Sequence, residues 1–581
     1  MCNFVANFTS FNILTLMKTR HLLLLVAALL LSFNLYAQPS GGGPGGDGGG
    51  PGGGESSGGA STTYAYGTDI SSLWQSGDDY YYIVGLFYCQ SPADETYEQM
   101  GIYVPSAYLT KNSDGSYSIN SSGTCNGYTA ATAPIVVPVN TSGYSAQSAP
   151  SGTSSTAATY TDEGFIYLWP GCRGRDHGAP LGVTDLKAAV RYYRYLAAQS
   201  KVPGNTDLIF SFGHSGGGAQ SAIFGTSGNS SLYDSYLSAI GANTDYKDNI
   251  CGSMCWCPIT NLDQADAAYE WNMGLTRSIS GDDLSISKGL AAEFATYVNA
   301  IGFKHPSTGE TLTLSSTDDG YYQGGSYYEY TMEVINDAVS RYNSYNSASV
   351  SSYSTTDALA LSSFASSYKN ATKGLGAFDD YDGKGQAENT LMGISGTAGH
   401  FDKYLAELVS TYASSYYSSF TSDLASTNTD VVGKTVEERL MMYTPLYYLI
   451  DNSTYYSGGG AGSSDVAKYW RIRSGIKQED TALNTEINLA LALEAYSGVE
   501  SVDFETIWGQ GHTEAEDSGS ASSNFISWVK ECATAYTSGI KSIGQFDNTQ
   551  SDKSYYTLDG RRVVNPTKGI YIQNGKKIVM K

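Results

Sequence analysis

Positive charge and histidine are both scarce in this sequence. Its 33 Lys and Arg residues face 56 Asp and Glu residues, which gives a formal net charge of −23 at pH 7. Binding to nucleic acid needs clustered Lys and Arg, and so does binding to an anionic membrane surface, so neither partner is expected. Charged residues make up 15% of the chain and hydrophobic residues 41%, a balance that predicts folding rather than disorder.

Long apolar runs are missing beyond the N-terminal region. The run at residues 22–31 follows a short basic segment and is too short for a comfortable transmembrane span. Together with the small-residue site before Gln38, it indicates a signal peptide over residues 1–37, with initiation at Met17. Residues 38–60 are rich in glycine and predict a flexible linker. The sequence therefore predicts an exported protein, secreted or at the cell surface, with no stable membrane span.

Cofactor and metal motifs are also missing. The Gly-rich linker lacks the strand, the helix and the lysine of a phosphate-binding loop. Cys251, Cys255 and Cys257 are closely spaced, but they lie in an apolar strand-like run with no histidine nearby in the sequence. This pattern favours a buried strand over a zinc site, so we predict neither a metal nor another cofactor. An odd number of the eight cysteines follows the signal peptide, which leaves at least one thiol without a partner in the chain.

Strand-like and helix-like segments alternate through most of the chain. Apolar runs at 81–88, 133–139 and 164–170 indicate strands, and residues 183–200 have apolar positions at helical spacing. The alternation then continues with strands at 208–212, 250–260, 468–475 and 502–508 and with helices after residue 215 and at 482–498. It predicts an α/β domain over residues 61–545 with a largely parallel sheet.

Two regions depart from this alternation. Residues 262–435 are helical, irregular and rich in Ser and Tyr, which predicts a large, mostly helical cap over the carboxyl ends of the strands. Residues 551–581 contain two Asx-Gly turn signals between β-prone runs and predict a small C-terminal β module. The wording "LDGRRV…PTKGIYI…NGKKIVMK" closely resembles the C-terminal sorting domain of the bacterial type IX secretion system. The resemblance implies the type IX machinery as a partner and passage across an outer membrane.

The stretch "DLIFSFGHSGGGAQSAIFG" contains a Gly-x-Ser-x-Gly motif around Ser215. In so Gly- and Ser-rich a chain, the motif alone is weak. Its context is stronger, because a nucleophile elbow needs a strand, a sharp glycine-rich turn and an immediate helix, all of which are predicted here. Ser215 is therefore the candidate nucleophile, and the backbone N–H of Gly216 is the candidate first oxyanion donor.

A serine nucleophile needs a general base, and His512 is the best candidate. It follows the last predicted strand on a Gly-flanked loop, downstream of both the serine and an acid-bearing loop. The other histidines beyond the signal peptide lie in a loop, beside the serine or in the predicted cap: His177, His214, His305 and His400.

The triad acid is expected on the loop that follows strand 468–475. Asp480 and Glu479 are the candidates, and either completes the order serine, acid, histidine of α/β-hydrolases. The second oxyanion donor should lie on an early strand-to-helix loop, which points to the backbone N–H of Cys172 or a neighbour. Arg173 and Arg175 on the same loop either bind an acidic substrate group or pair with nearby aspartates, and both alternatives stay open.

Several motifs occur in a fixed order across about residues 164–530: "PGCRGRD", "FGHSGGGAQSAIFGTSGNS", "CPITNLDQADAAYEW", "KGLGAFDD", "RIRSGI" and "GQGH". In this order they resemble the bacterial tannase and related carboxylesterase family of α/β-hydrolases. The resemblance implies Ser215 as nucleophile and His512 as general base. It also implies that Lys373 and Glu388, in the cap, contact the phenolic hydroxyls of a galloyl group.

One position departs from the family pattern. The family has Gly-x-x-Asp-x-Asp-Thr after the strand, with the first aspartate as triad acid, and this chain has Gln478 there. We therefore predict that Asp480, which matches the second aspartate, is the acid. The predicted function is a secreted serine carboxylesterase that works through an acyl-enzyme on aromatic or plant-derived acyl esters, such as galloyl or feruloyl esters. These esters are small molecules or are linked to polysaccharide. Two alternatives stay open: a serine peptidase on the same fold, and a catalytically impaired surface protein that binds glycans or phenolics.

Overall fold

The computed structural model describes residues 62–357, 359–369, 373–451, 454–456 and 460–538, and the backbone of four short strands between residues 555 and 580. The predicted signal peptide and Gly-rich linker lie outside the described residues and stay predictions. Within the described ranges, no helix is both long enough and apolar enough to cross a membrane.

In the part of the chain that the structure describes, thirteen strands precede the C-terminal region. In chain order they are β1 Gln75–Ser76, β2 Tyr80–Phe87, β3 Gln99–Pro105, β4 Leu109–Lys111, β5 Tyr117–Ile119, β6 Thr124–Cys125, β7 Tyr128–Thr129, β8 Ile135–Val139, β9 Ile166–Pro170, β10 Ile209–His214, β11 Gly252–Trp256, β12 Tyr469–Gly475 and β13 Ser501–Ile507.

Nine of these strands form one mixed sheet, in the order β1-β2-β3-β9-β8-β10-β11-β12-β13. Neighbouring strands pair in parallel across one part of this sheet, which contains β9, β8, β10, β11, β12 and β13. The strands β1, β2 and β3 pair antiparallel at one edge, and β3 also pairs antiparallel with β9. Helices connect the parallel strands, as parallel pairing requires. The predicted α/β class is therefore confirmed. The carboxyl ends of β8, β10, β12 and β13 lie at one edge of the sheet, which is where ligands bind in such sheets.

The α-helices of the described residues are numbered in chain order. They are α1 Ser155–Thr161, α2 Leu181–Ala198, α3 Gly216–Thr226, α4 Asp234–Ala239, α5 Ala265–Met273, α6 Gly281–Ile301, α7 Ser326–Asn346, α8 Ala360–Phe364, α9 Ala387–Met392, α10 Lys403–Tyr412, α11 Tyr417–Asp423, α12 Val436–Met442, α13 Pro445–Leu449, α14 Leu483–Ala495 and α15 Ala521–Ser538. The section 262–435, predicted to be helical, contains α5 to α11.

Hydrophobic side chains cover both faces of the sheet. On β10, Ile209 belongs to one core cluster and Phe210 to the other, because successive side chains of a strand point to opposite faces. The smaller cluster includes Phe525 and Trp528 of α15. The larger cluster includes buried side chains of α2, α3 and α14. Burial on both faces explains why the central strands read as nearly continuous apolar runs in the sequence.

The C-terminal region contains four strands: β14 Tyr555–Tyr556, β15 Arg562–Val563, β16 Gly569–Gln573 and β17 Lys576–Met580. They pair antiparallel in the order β15-β14-β16-β17. Strands β16 and β17 flank the predicted Asn-Gly turn at residues 574–575, which itself lies outside the described residues. The sorting role of this region stays a prediction.

Candidate active site

Ser215 occupies the sharp turn between β10 and α3. Its backbone has φ 60° and ψ −125°, a conformation that L-residues rarely adopt. Such strain at a strand-to-helix turn is the signature of a nucleophile elbow, which points the serine side chain away from the neighbouring backbone. The side chain is nearly buried, with 5% of the residue exposed.

Two glycines after Ser215 are required by close backbone contacts. A Cβ atom on Gly216 would lie 2.5 Å from the backbone nitrogen of Tyr144 and 2.7 Å from the carbonyl oxygen of Thr141. A Cβ atom on Gly217 would collide with the carbonyl oxygen of Val139. The first turn of α3 therefore packs directly against the end of β8 and the loop that follows it, which only glycine permits.

His512 faces Ser215 from the loop after β13. Its Nε2 atom lies 2.8 Å from the Oγ atom of Ser215, within hydrogen-bond reach. Burial lowers the pKa of His512, an effect that Asp480 partly opposes and Lys373 reinforces. The imidazole is thus kept in its neutral form, the form in which Nε2 can accept a proton from a serine hydroxyl.

The second nitrogen of His512 contacts Gln478. The Nδ1 atom lies 2.6 Å from Oε1 of Gln478, whereas the nearest carboxylate oxygen of Asp480 is 3.7 Å away. The prediction of Asp480 as the triad acid therefore does not match the geometry, and Glu479, the alternative acid, does not take the Nδ1 position either. The physical reason is orientation. The turn after β12, in which the Gln478 N–H donates to the Gly475 carbonyl, directs Gln478 inward and leaves the Asp480 side chain 47% exposed.

Gln478 is held on its other side by two further groups. Its Nε2 donates to Oγ of Ser474 at 2.6 Å and to Oε1 of Glu486 at 2.8 Å. Ser474 is the penultimate residue of β12 and Glu486 lies in the first turn of α14, and the side chains of Ser474, Gln478 and Glu486 are all buried. Burial raises the pKa of Glu486 to about 7, partly opposed by hydrogen bonds and by the charge of Lys369.

Gly216, the predicted first oxyanion donor, begins α3 directly after Ser215, and its role stays a prediction. The structure does not favour Cys172 as the second donor. The N–H of Cys172 donates to the carbonyl of Gln147 at 2.9 Å, so it is not available to a substrate oxygen. The sheet order explains the error, since the strand beside β10 is β8 and not β9, which precedes Cys172. The loop that touches Gly216 comes from β8 and contains Gly143 and Tyr144.

The two arginines of the loop after β9 have structural partners. Arg173 is buried and forms a bidentate pair with Asp185, with Nε to Oδ2 at 2.9 Å and Nη2 to Oδ1 at 2.7 Å. It also lies 3.5 Å from buried Glu98. Arg175 donates to the carbonyl of Gly143 at 2.7 Å, which braces the loop beside the serine. The structure thus favours pairing for Arg173.

Lys373 and Glu388, the predicted substrate-binding residues, interact electrostatically with groups around His512. Burial raises the pKa of Glu388, an effect that Lys373 opposes and Asp480 reinforces. Lys373 also lowers the pKa of His512, and its Nζ contacts the carbonyl of Ala377 at 3.1 Å. Lys373 thus interacts electrostatically with both His512 and Glu388, and the substrate-binding role of Lys373 and Glu388 stays a prediction.

One group of side chains near the site resembles a metal-binding set. Among the described residues, His214, Cys257 and His512 each place one donor atom within 4.8 Å of the others. However, burial raises the pKa of the Cys257 thiol to about 12, and its sulfur already accepts from the N–H of Gly475 at 3.3 Å. His512 is engaged on both nitrogens. We therefore assign no metal to this group.

Structural comparison relates the chain to ester hydrolases. Tannin acyl hydrolase from Lactobacillus plantarum is 27% identical, with a TM-score of 0.60, over 78% of this chain and 94% of that one. Tannase from Fusobacterium nucleatum is 27% identical, with a TM-score of 0.62, over 78% of this chain and 95% of that one. A tannin acyl hydrolase in complex with 3,4-dihydroxybenzoate is 26% identical, with a TM-score of 0.61, over 80% and 97%. No protein-family model and no curated protein matches the chain.

These neighbours support an ester hydrolase of the tannase type on an α/β fold. Sequence reasoning missed two parts of the site, Glu486 and the loop after β8. The signal for Glu486 was a carboxylate in the first turn of a helix whose second half, residues 489–493, is apolar. The signal for the loop was Asn-Thr-Ser-Gly-Tyr directly after an apolar strand, and its weight depended on knowing that β8 neighbours β10.

Proposed function

We propose that this protein is a serine carboxylesterase that acts through an acyl-enzyme on aromatic acyl esters. The observation that carries the proposal is the 2.8 Å contact between Ser215 Oγ and His512 Nε2 at a strained elbow. Likeness to tannases supports the reaction class. The scaffold in this proposal is an α/β-hydrolase with residues 262–435 as its cap.

The mechanism follows from the atoms in place. Ser215 Oγ forms a bond to the ester carbonyl carbon while its proton moves to His512 Nε2. The carbonyl oxygen becomes an oxyanion, which the N–H of Gly216 and an N–H of the loop after β8 stabilise. As the oxyanion collapses, the bond to the alcohol oxygen breaks and the proton on Nε2 passes to that oxygen. Water then repeats the sequence on the acyl-enzyme and releases the acid and Ser215.

The acyl group is proposed to be a hydroxylated benzoyl or related aromatic acid. Neighbouring structures are complexes with ethyl gallate and with 3,4-dihydroxybenzoate. In this chain Lys373 and Glu388 provide one positive and one acidic group beside the catalytic pair, which suits hydrogen bonding to phenolic hydroxyls. Small or polysaccharide-linked esters of such acids are the proposed substrates.

The experiment that tests the function compares the wild type with Ser215→Ala. The wild type should label with a fluorophosphonate and hydrolyse p-nitrophenyl acetate, methyl gallate and methyl ferulate. Ser215→Ala should lose labelling and at least about 10³-fold in kcat/KM. Full hydrolysis by the variant would exclude the mechanism. A peptide substrate assayed in parallel would reveal peptidase activity.

Gln478 favours a second candidate, a surface protein that binds phenolics or glycans and has impaired catalysis. An amide does not stabilise an imidazolium as a carboxylate does. Absence of fluorophosphonate labelling together with saturable binding of gallate by the wild type would support this candidate instead.

Export is part of the proposal. The basic segment and apolar run within residues 1–37 support secretion, and the C-terminal wording of residues 551–581 supports sorting by the type IX machinery. Expression of the full chain in a type IX-competent host, with and without residues 551–581, tests this point. Loss of cell-surface or medium protein on removal is the expected result.

A further inference from the structure

A buried carboxylate stands directly behind the glutamine that contacts His512. The chain of contacts runs from Ser215 to His512, then to Gln478, and ends at Glu486, with distances of 2.8, 2.6 and 2.8 Å. Glu486 is fully buried, and its Oε2 atom has no hydrogen-bond partner among the described residues. A fully buried carboxylate with one free oxygen is unusual for a purely structural group.

The carboxylate determines which way the amide of Gln478 faces. An ionised carboxylate can only accept hydrogen bonds, so the NH₂ group of Gln478 must face Glu486. The amide oxygen then faces Nδ1 of His512 and requires a proton there. With Nδ1 protonated, Nε2 of His512 carries the lone pair that accepts the proton of Ser215. The orientation of one amide thus sets the tautomer needed for general-base catalysis.

We propose that Glu486 is a positioning residue that supplies, through Gln478, the orientation and negative charge normally given by the triad acid. The inference rests on the proposed function, because it assigns a role in activating Ser215. When His512 becomes an imidazolium, the Glu486 carboxylate polarises the Gln478 amide. Through that amide it stabilises the positive charge on His512. Gln478 therefore does not by itself imply an inactive site.

The surroundings of Glu486 allow it to be charged near neutral pH. Burial raises its pKa to about 7, and the ammonium of Lys369 opposes that rise. Lys369 is also buried, and burial lowers its pKa to about 8, against the pull of Glu486. Gln478 donates to Oε1 of Glu486 at 2.8 Å, and both Gln478 and Ser474 act to lower the pKa of Glu486. The Cys257 thiol belongs to the same cluster, because Glu486 raises its pKa. Position in the first turn of α14 further favours a negative charge.

The central test is the variant Glu486→Gln, which keeps the shape and an acceptor for Gln478 but removes the charge. We expect kcat for p-nitrophenyl acetate to fall about tenfold, with little change in KM. The reason is that the site loses the negative charge of Glu486, and the Gln478 amide is no longer fixed in one orientation. The acid limb of the kcat/KM profile should move to lower pH, because removal of a negative charge lowers the pKa of His512.

The double variant Gln478→Glu/Glu486→Gln exchanges the two groups. It keeps one carboxylate and one amide but puts the carboxylate directly against Nδ1. We expect recovery of kcat to within about threefold of the wild type. A merely structural role for Glu486 predicts no such rescue.

The matched control is Glu98→Gln. Glu98 is likewise fully buried, and its pKa is raised to about 7 by burial and by Asp185, but it lies beside Arg173. It should change thermal stability without moving kcat or the pH profile.

The outcomes separate the inference from the function. If the wild type neither labels with fluorophosphonate nor hydrolyses esters, the proposed function fails. If the wild type is active and Glu486→Gln keeps its kcat and pH profile, the inference is overturned and the function stands. A double variant no more active than Glu486→Gln would overturn it as well.

Discussion

The two sides of the candidate active site are built in different ways. The serine side, residues 209–226, is fixed by backbone: a strained Ser215, glycines in close contact and a helix that begins at once. The acid side, residues 469–486, is fixed by side chains that hydrogen-bond across β12 and α14. Backbone construction leaves a motif in the sequence, whereas a side-chain network can exchange its members and keep its geometry. Such a network is compatible with Gln478 at the position where the tannase pattern that the sequence resembles has aspartate.

His512 contacts both sides, Ser215 through Nε2 and Gln478 through Nδ1. Its replacement should therefore lower activity more than any other change considered below. We expect His512→Ala to lower kcat/KM for p-nitrophenyl acetate by about 10⁴-fold, because Ser215 loses its general base. Steady-state kinetics on both proteins checks this. His305→Asn is the control, since His305 contacts Glu333 in the helical section and should leave activity unchanged. Retention of more than a tenth of the activity in His512→Ala would contradict the proposed pairing.

Adding one methyl group at Gly217 tests how rigid the serine side is. We expect Gly217→Ala to destabilise the fold by about 1–3 kcal/mol, since the added Cβ collides with the carbonyl oxygen of Val139. Thermal unfolding followed by circular dichroism gives the measurement. Gly152→Ala is the matched control, because a Cβ there meets nothing within 4 Å. Equal melting temperatures for the two variants would show that the serine side tolerates movement.

Lys373, which interacts electrostatically with His512, tests recognition of the phenolic part of the substrate. We expect Lys373→Met to raise KM for methyl gallate about tenfold, through loss of a charged hydrogen-bond donor, and to leave KM for p-nitrophenyl acetate unchanged. Because Lys373 lowers the pKa of His512, the acid limb of the rate profile should also move to higher pH. Lys403→Met, a half-exposed lysine of the same helical section, is the control. An equal rise in KM for both esters would argue against a role in recognising phenols.

Asp480 should have the smallest effect of the four positions. It raises the pKa of His512 from 3.7 Å without a hydrogen bond, and its side chain is 47% exposed. We expect Asp480→Asn to change kcat by about twofold at most at pH 8. The acid limb should move to lower pH, opposite to the shift in Lys373→Met. Asp78→Asn, at an exposed turn, serves as control. A hundredfold loss in Asp480→Asn would restore Asp480 as the triad acid.

Much of the fold could be predicted from the sequence. The strand at 208–212 and the helix at 183–200 correspond to β10, Ile209–His214, and α2, Leu181–Ala198. They were predictable because a buried strand and an amphipathic helix leave local patterns. The second oxyanion donor was misplaced at Cys172, since local patterns do not reveal which strands are neighbours. The order β9-β8-β10 puts the loop after β8, and not the loop after β9, against Ser215.

The sequence by itself determined the α/β class, and it led to the strand-turn-helix at Ser215 and to His512 as the predicted partner, which lies 2.8 Å from Ser215. These depend on short-range rules: periodic burial, the glycines that a tight turn requires and the order of motifs along the chain. Only the tertiary structure decided the partner of Nδ1. Gln478, Asp480 and Glu479 are neighbours in sequence, but it is Gln478 that lies within hydrogen-bond distance of Nδ1 and also contacts Ser474 and Glu486. Side-chain direction after a turn depends on packing between β12 and α14, which no local pattern encodes.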